Sequence, residues 1–105
     1  MMGKLVRDNI PEIIRKSGRE PEVKRIEGES LRKALKDKLV EEAAELRNGD
    51  DLYGELVDVL EVIEALIEEY GLDRQRLEDA RKEKLRRAGG FKKGYVLVED
   101  EKDKD

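Results

Sequence analysis

Four acidic residues form two pairs with i, i+3 spacing, and their positions indicate where chemistry is to be expected. The first pair is Glu42 and Glu45, and the second is Glu55 and Asp58. On a helix, side chains with this spacing lie on one face. Glu42 also shares its face with four leucines, namely Leu31, Leu35, Leu39 and Leu46. The sequence therefore predicts a carboxylate inside an apolar stripe.

A carboxylate in such a stripe needs compensation. Burying it alone costs several kcal/mol, so a stable chain keeps it with a cationic partner or a proton. In the next helix, Glu55 is predicted to point into an apolar arc beside Val59 and Val62, with Asp58 at the edge of that arc. A short connection predicts an antiparallel hairpin, which brings both acidic pairs close to the turn.

Converging carboxylates repel one another, and a divalent cation removes that repulsion. The chain has no His and no Cys, so any metal is expected to have oxygen ligands. Such ligands favour Mg²⁺, with Mn²⁺ as the alternative. Because Mg²⁺ usually bridges carboxylates to substrate phosphates, a phosphate ester or anhydride is the expected substrate class.

Composition excludes several other classes of protein. Disulfide scaffolds and the usual zinc sites are ruled out by the missing Cys and His. Charged residues make 48% of the 105 residues, yet the net charge is only -4. Such balanced charge suits ion-pair networks at high temperature, so we expect a thermophilic source and a melting temperature above about 60 °C.

Basic and acidic residues are interleaved, which disfavours nucleic-acid binding. No apolar run is long enough for a membrane span, so a cytoplasmic protein is expected.

The elements predicted to position these residues are mostly helices. We predict helices at Ile10 to Lys16, from a Ser30 cap to about Arg47, from Asp50 or Asp51 to Tyr70, and from an Asp73 cap to Gly89 and Gly90. The segment Tyr95 to Val98 is predicted to be a strand that pairs with the extended piece at Val23 to Ile26. The expected fold is mainly α, an antiparallel bundle of about four helices with a small two-stranded β element near the termini.

Residues 1–100 are predicted to form one domain, followed by a charged tail at 101–105.

The helix after the turn is predicted to bury one face, which comprises Leu52, Leu56, Val59, Leu60, Ile63, Leu66, Ile67 and Tyr70. Val40 and Val57 lie outside the main apolar stripes, so the helices have apolar surface on more than one side. We therefore expect a homodimer.

The order and spacing of the acidic pairs resemble a known metal-binding signature. Glu42-x-x-Glu45 followed by Glu55-x-x-Asp58 is similar to the motif of the all-α nucleoside triphosphate pyrophosphohydrolases, the MazG and phosphoribosyl-ATP pyrophosphohydrolase superfamily. The N-terminal run from Lys4 to Ile14, the central run from Lys38 to Glu42 and the closing Gly89-Gly90-Phe91 resemble a small house-cleaning branch of it. The chain departs from that branch at Asn9, where a Lys is expected, in the short linker between the two acidic pairs, and at Ala88, where a basic residue is expected.

The resemblance implies a reaction and a set of residue roles. The reaction is cleavage of a nucleotide between its α and β phosphates, which yields a monophosphate and pyrophosphate. Glu42, Glu45 and Asp58 are implied as direct ligands of Mg²⁺, and Glu55 as a ligand or an orienting base. Glu41 is expected to stabilise the metal ligands without binding the ion itself.

Four basic residues are candidates for contact with the substrate phosphates. Lys38 lies one turn before Glu42 on the same face, and Arg81 and Lys84 lie at or near the buried side of the last helix. Arg7 is a candidate by resemblance alone. Arg81 and Lys84 have an equally good alternative role as ion-pair partners of Glu78 or Asp79, and Lys38 as the partner of Glu42.

Two other functions stay open. One is a true phosphoribosyl-ATP pyrophosphohydrolase of histidine biosynthesis, with the same metal site and a bulkier substrate. The other is a non-catalytic helical dimerisation or interaction module, in which Mg²⁺ would not stabilise the fold and Glu42→Ala would raise stability by removing an unpaired buried charge.

Overall fold

The computed structural model describes residues 3–98, and all the regular structure in that range is helical. Its four helices are α1 Ile10–Lys16, α2 Gly28–Asn48, α3 Leu52–Glu69 and α4 Arg74–Ala88. The described residues belong to two compact units, the first ending at Gly71 and the second beginning at Leu72. The first contains α1 to α3 and the second contains α4. The prediction of a single domain over residues 1–100 stays a prediction, and the tail at 101–105 lies outside the described residues.

Helix ends follow the capping chemistry in the sequence at three of the four N-termini. Pro11 occupies the first turn of α1, which has the predicted bounds. Asp51 caps α3 by accepting a hydrogen bond from the Gly54 amide at 3.1 Å. Asp73 caps α4 by accepting from the amides of Gln75 and Arg76 at 2.9 and 3.1 Å. These three helices were therefore predictable from local residue chemistry.

The predicted start of α2 is wrong. Ser30 does not cap this helix, which begins two residues earlier, at Gly28. Gly28 has a φ of 62°, a conformation that glycine adopts without strain, and it turns the chain into the helix from extended Glu27. The start of α2 is therefore set by backbone geometry and not by a side-chain cap.

Helices α2 and α3 pack against each other as an antiparallel hairpin, because only residues 49–51 connect them. The buried hydrophobic side chains are Leu35 of α2 with Val62 and Ile67 of α3. This small core lies in the body of the hairpin. The acidic pairs lie closer to its turn, on the last turns of α2 and the first turns of α3.

The prediction of one continuous buried face on α3 is only partly right. Ile67 is buried, and Val59 and Leu66 are half-buried. The remaining members are exposed in the single chain, namely Leu52, Leu56, Leu60, Ile63 and Tyr70. The reason is geometric: a single neighbouring helix covers only part of a broad apolar arc. The uncovered part is called the α3 apolar face below, defined as Leu52, Leu56, Leu60 and Ile63.

The predicted two-stranded β element is not present, since residues 3–98 contain no strand. Val23, Tyr95, Val96 and Val98 are between 52% and 87% exposed, so neither predicted strand buries an apolar face. An isolated two-stranded ribbon is marginal in water without such burial. High β propensity alone was therefore insufficient evidence for pairing.

Among the described residues, no helix has the length and apolar character needed to cross a bilayer.

Candidate functional site

Glu42 is buried, as its place in the leucine stripe predicts, and it has a cationic partner. It is 7% exposed, the one charged residue in this class within residues 3–98. The ammonium of Lys38, one turn earlier on α2, lies 3.3 Å from Glu42 Oε2. The side chain of Lys38 is itself only 16% exposed. The charge that needed compensation is thus neutralised inside the same helix.

Lys38 also contacts Glu41, and this second carboxylate receives a further cation from the N-terminal segment. Glu41 Oε2 lies 3.3 Å from Lys38 Nζ and 3.3 Å from Lys4 Nζ. Burial by itself would lower the pKa of Lys38, but its hydrogen bonds to Glu41 and Glu42 outweigh burial and raise that pKa above 10.5. Burial would raise the pKa of Glu41, but hydrogen bonds from Lys4 and Lys38 bring it below 4.5.

Asp58 is held by a different cation. Arg7 Nη2 donates to Asp58 Oδ1 at 2.6 Å, and the two residues are 51 positions apart in sequence. Both side chains are about half exposed, at 53% and 42%. The segment that precedes α1 therefore makes an ion pair with each helix of the hairpin, Lys4 with α2 and Arg7 with α3.

Glu45 and Glu55 have no such partner among the described side chains. Both line an open cleft at the turn, which Asn48 and Gly49 also line. Glu55 Oε1 is buried without a hydrogen-bond partner in the described part of the chain. The carboxylate lies so close to Gly49 that a Cβ there would overlap it. A neighbouring cleft is lined by Glu45, Glu55 and Asp58 together with Tyr53.

The residues at the turn fit a hard divalent cation in their chemistry. All the candidate ligands are carboxylates, which a hard divalent cation prefers. One buried oxygen of Glu55 lacks a hydrogen-bond partner, as expected of an oxygen that is free to bind a metal ion. Within residues 3–98, however, no three acidic side chains are close enough together to hold a metal ion as they stand. The expected convergence is thus partial: Glu45, Glu55 and Asp58 share a cleft, while Glu42 pairs with Lys38.

The two basic candidates on α4 belong to the second compact unit. Arg81 makes a two-pronged ion pair with Glu78, with Nε to Oε1 at 3.0 Å and Nη2 to Oε2 at 2.8 Å. This is the alternative role that the sequence left open. Lys84 also lies on α4 and makes an interaction of its own. A role of either residue in phosphate binding stays a prediction.

Sequence reasoning missed several residues at the turn. Asn48 and Gly49 are not among the predicted site residues, yet both line the cleft. Lys4 was not singled out, although it neutralises Glu41. The glycine offered a usable signal, because a residue without a side chain beside an acidic pair leaves room for a carboxylate. Nothing in local spacing identifies the partner of Lys4, which is 37 residues away.

Comparison with known proteins places the chain in no established family. No family model matches it, and no solved structure matches it. An uncharacterized protein from Mycolicibacterium smegmatis is 51% identical over 49 residues. The match covers 47% of this chain and 50% of that protein, so the alignment spans about half of each. This similarity carries no functional information.

Proposed function

We propose that the protein is a Mg²⁺-dependent nucleoside triphosphate pyrophosphohydrolase that cleaves between the α and β phosphates. Water adds to the α phosphorus, the bond to the bridging oxygen breaks, and the products are a nucleoside monophosphate and pyrophosphate. Its place would be the cytoplasm, and its role the removal of unwanted nucleotides. Mn²⁺ is the alternative ion.

The observation that carries this proposal is the turn cleft, defined as the surface around Glu45, Glu55 and Asp58. A buried carboxylate oxygen without a partner is costly unless a ligand satisfies it. Mg²⁺ needs only one or two carboxylates, because waters and substrate phosphates complete its octahedron. A preformed cage of three carboxylates is therefore not required for the proposed chemistry.

The proposed roles follow from position. Glu45, Glu55 and Asp58 would hold the ion at the turn, and Glu42 would join them from the next turn of α2. A bound divalent cation supplies charge stabilisation and lowers the pKa of a bound water. Arg7 and Lys38 are the basic side chains beside these carboxylates and would meet the phosphates. Arg81 and Lys84 are kept as further candidates for phosphate contact.

The test is a screen for pyrophosphate release over ordinary and damaged nucleoside triphosphates, with and without Mg²⁺. We expect Mg²⁺-dependent release of pyrophosphate together with the monophosphate. Glu45→Gln should abolish it, since that change removes one ligand charge at an exposed position. Glu61→Gln is the matched control, because Glu61 is an exposed carboxylate on α3 that lines neither cleft. Release that is independent of Mg²⁺, or equal in both variants, would contradict the proposal.

The same screen addresses the closest alternative. A phosphoribosyl-ATP pyrophosphohydrolase shares the metal site, so residue changes at the turn cleft cannot distinguish the two enzymes. Side-by-side turnover of phosphoribosyl-ATP and of nucleoside triphosphates does, because specificity lies in pocket shape.

A non-catalytic interaction module is the second candidate, and the α3 apolar face favours it. Leu52 and Leu60 are 61% and 59% exposed, as a docking surface would be. Under this alternative Mg²⁺ leaves the melting temperature unchanged. The expected gain in stability from Glu42→Ala no longer separates the candidates, because Lys38 already neutralises Glu42.

We also propose that the protein forms a homodimer through the α3 apolar face. The hydrophobic core of the single chain is small, and a second copy of the same face would cover the exposed leucines. The nucleotide is the other proposed partner, while nucleic acid and membrane are not among those proposed.

A further inference from the structure

Helix α4 has apolar side chains but buries none of them. Leu77 and Leu85 are eight positions apart, which places them on one side of the helix, and both are exposed. None of the 15 residues of α4 is buried. A helix of this length is marginal in water by itself, because most helical stability comes from packing of an apolar face. We therefore looked for a surface that this face fits.

The charge of α3 is the opposite of the charge of α4. Helix α3 contains six acidic residues and no basic residue, whereas α4 contains seven basic and three acidic residues. The spacing on α3 places Glu61, Glu64 and Glu68 in one row beside the α3 apolar face, with Leu60 as the nearest member of that face. This row is called the acidic edge below.

The apolar side of α4 also has basic residues. Arg81 lies four positions after Leu77, and Lys84 lies seven positions after it, so both share its side of the helix. Leu77 and Leu85 thus lie among cations, just as Leu60 lies beside carboxylates. The two surfaces match in both apolar character and charge.

We propose that, in the homodimer, α4 of each copy packs along the acidic edge of α3 of the other copy. This inference rests on the homodimer proposed above and names the element that completes its interface. A contact between the two α3 helices alone would bring together two helices that have only acidic charges, which opposes association. The basic side chains of α4 remove that repulsion, and its leucines cover Leu60.

A second copy is the expected occupant because each chain contains both members of the pair. Around a two-fold axis, the contact between α3 and α4 forms twice with the same residues. Both surfaces of each copy are then covered, and the assembly is closed at two chains.

The test uses two variants of the full chain that each damage one member of the pair. Leu60→Glu adds an acid to α3, and Leu77→Lys adds a base to α4. Either variant alone contains two damaged contacts per dimer, so its dissociation constant should rise at least about tenfold, as for a well-packed interface side chain. Fluorescence-detected sedimentation measures the constant, with one variant labelled at its N-terminus.

Mixing the two variants should restore association. In the mixed dimer the two introduced charges meet as an opposite pair at one contact, and the other contact is unmodified. The mixture should therefore dimerise at least about threefold more tightly than either variant alone, a modest gain of the size expected for one exposed ion pair. Only a contact between copies can be restored in this way, because neither chain has both changes.

Val23→Lys is the matched control for the α4 variant. Val23 is 52% exposed, close to the 44% of Leu77, and lies on neither helix of the pair. This change should neither weaken the dimer nor restore association when mixed with Leu60→Glu. Circular dichroism checks that the variants keep their helices. If Leu77→Lys fails to fold, Leu85→Lys replaces it, since Leu85 lies on the same exposed side of α4.

The outcomes separate this inference from the proposed function. If the unmodified chain dimerises but the mixture associates no more tightly than the separate variants, α4 does not bind α3 of the other copy. The inference then fails, while the homodimer and the pyrophosphohydrolase reaction stand. A monomeric unmodified chain refutes the homodimer and this inference together. Absence of pyrophosphate release refutes the proposed reaction and leaves the contact between α3 and α4 to the mixing result.

Discussion

At the scale of single residues, burial and partners distinguish side chains of the same type. Glu42 and Glu55 are both acidic residues on adjoining helices, yet Glu42 is bound by Lys38 and Glu55 leaves one buried oxygen unsatisfied. Two carboxylates of the same residue type thus differ in their partners. The first carboxylate is compensated in the free protein, and the second is the better candidate to receive a ligand.

Gly49 is the residue whose change best tests the position of Glu55. Its backbone φ of -93° suits any residue, so Gly49→Ala should not strain the chain. The new methyl group would instead displace the flexible carboxyl end of Glu55. We expect the free energy of unfolding to change by less than about 1 kcal/mol. Pyrophosphate release should fall by about 10- to 100-fold, as for a catalytic group misplaced by about 1 Å.

Gly90→Ala is the control for this change. Its added methyl would meet only Leu85, at an ordinary contact distance of 3.5 Å, and its φ is not positive. Denaturant unfolding and pyrophosphate release are measured for both variants. Full activity in Gly49→Ala would show that the carboxylate of Glu55 does not need its observed position.

At the scale of helices, N-caps help to set where a helix begins. Ion pairs between neighbouring turns shift the pKa values of its side chains. Asp51 and Asp73 satisfy amides at the starts of α3 and α4, whereas α2 starts at a glycine without a side-chain cap. The first kind of start can be predicted from residue type. The second kind depends on the path of the preceding chain.

Asp51→Ala should lower the free energy of unfolding by about 1 kcal/mol, the usual loss for an N-cap. The reason is the lost hydrogen bond to the Gly54 amide. Its neighbour Asp50 is the matched control, because α3 is capped by Asp51 alone. Chemical denaturation followed by circular dichroism measures both variants. Equal losses for Asp50→Ala and Asp51→Ala would contradict the cap assignment.

Glu78 of α4 should titrate below its ordinary range. The hydrogen bond from Arg81 is the main cause that lowers the pKa of Glu78 from 4.5. Because the folded-state pKa is lowered, the contribution of this pair to stability is present above pH 4.5 and is lost as the pH falls through the folded-state pKa. Arg81→Ala should return the pKa of Glu78 to about its ordinary value, as measured by NMR titration of the carboxyl carbon.

Arg86→Ala is the control for that titration, since Arg86 pairs with Glu83 and not with Glu78. The same signal also tests the predicted phosphate role of Arg81. If nucleotide draws Arg81 away, the pKa of Glu78 should rise when nucleotide is added. An unchanged pKa would mean that Arg81 keeps its ion pair and leaves phosphate binding to other residues.

At the scale of the whole molecule, the exposed apolar surface is the dominant feature. The described hydrophobic core contains Leu35, Val62 and Ile67. Many large hydrophobic side chains stay exposed, including those of the α3 apolar face. So small a core gives a chain of this size only a small free energy of unfolding. Association of two copies would bury the exposed apolar side chains.

Leu60→Glu should therefore shift the protein from dimer to monomer at micromolar concentration, because it places a charge in the proposed interface. Analytical ultracentrifugation measures the change, and we also expect a lower melting temperature. Ile13→Glu is the control, since Ile13 of α1 is 58% exposed, close to the 59% of Leu60, but lies outside the α3 apolar face. A monomeric unmodified chain would refute the dimer.

The sequence by itself determined three of the four helix starts, the hairpin around the turn and the burial of Glu42. Each depends on interactions within a few residues, namely caps, a connection too short for another arrangement, and leucine spacing on one helix. Local information was misleading for the β element, because propensity favours strands but burial and pairing decide whether they form.

Only the tertiary structure decided which carboxylates pair with cations from a distant part of the chain. The partners of Asp58 and Glu41 in the N-terminal segment are 51 and 37 residues distant in sequence. The contact of Glu55 with Gly49 likewise depends on how two helices meet at a turn. Ion pairs and close packing require atoms to meet in space, and spacing along a helix cannot specify contacts between segments that are far apart in the chain.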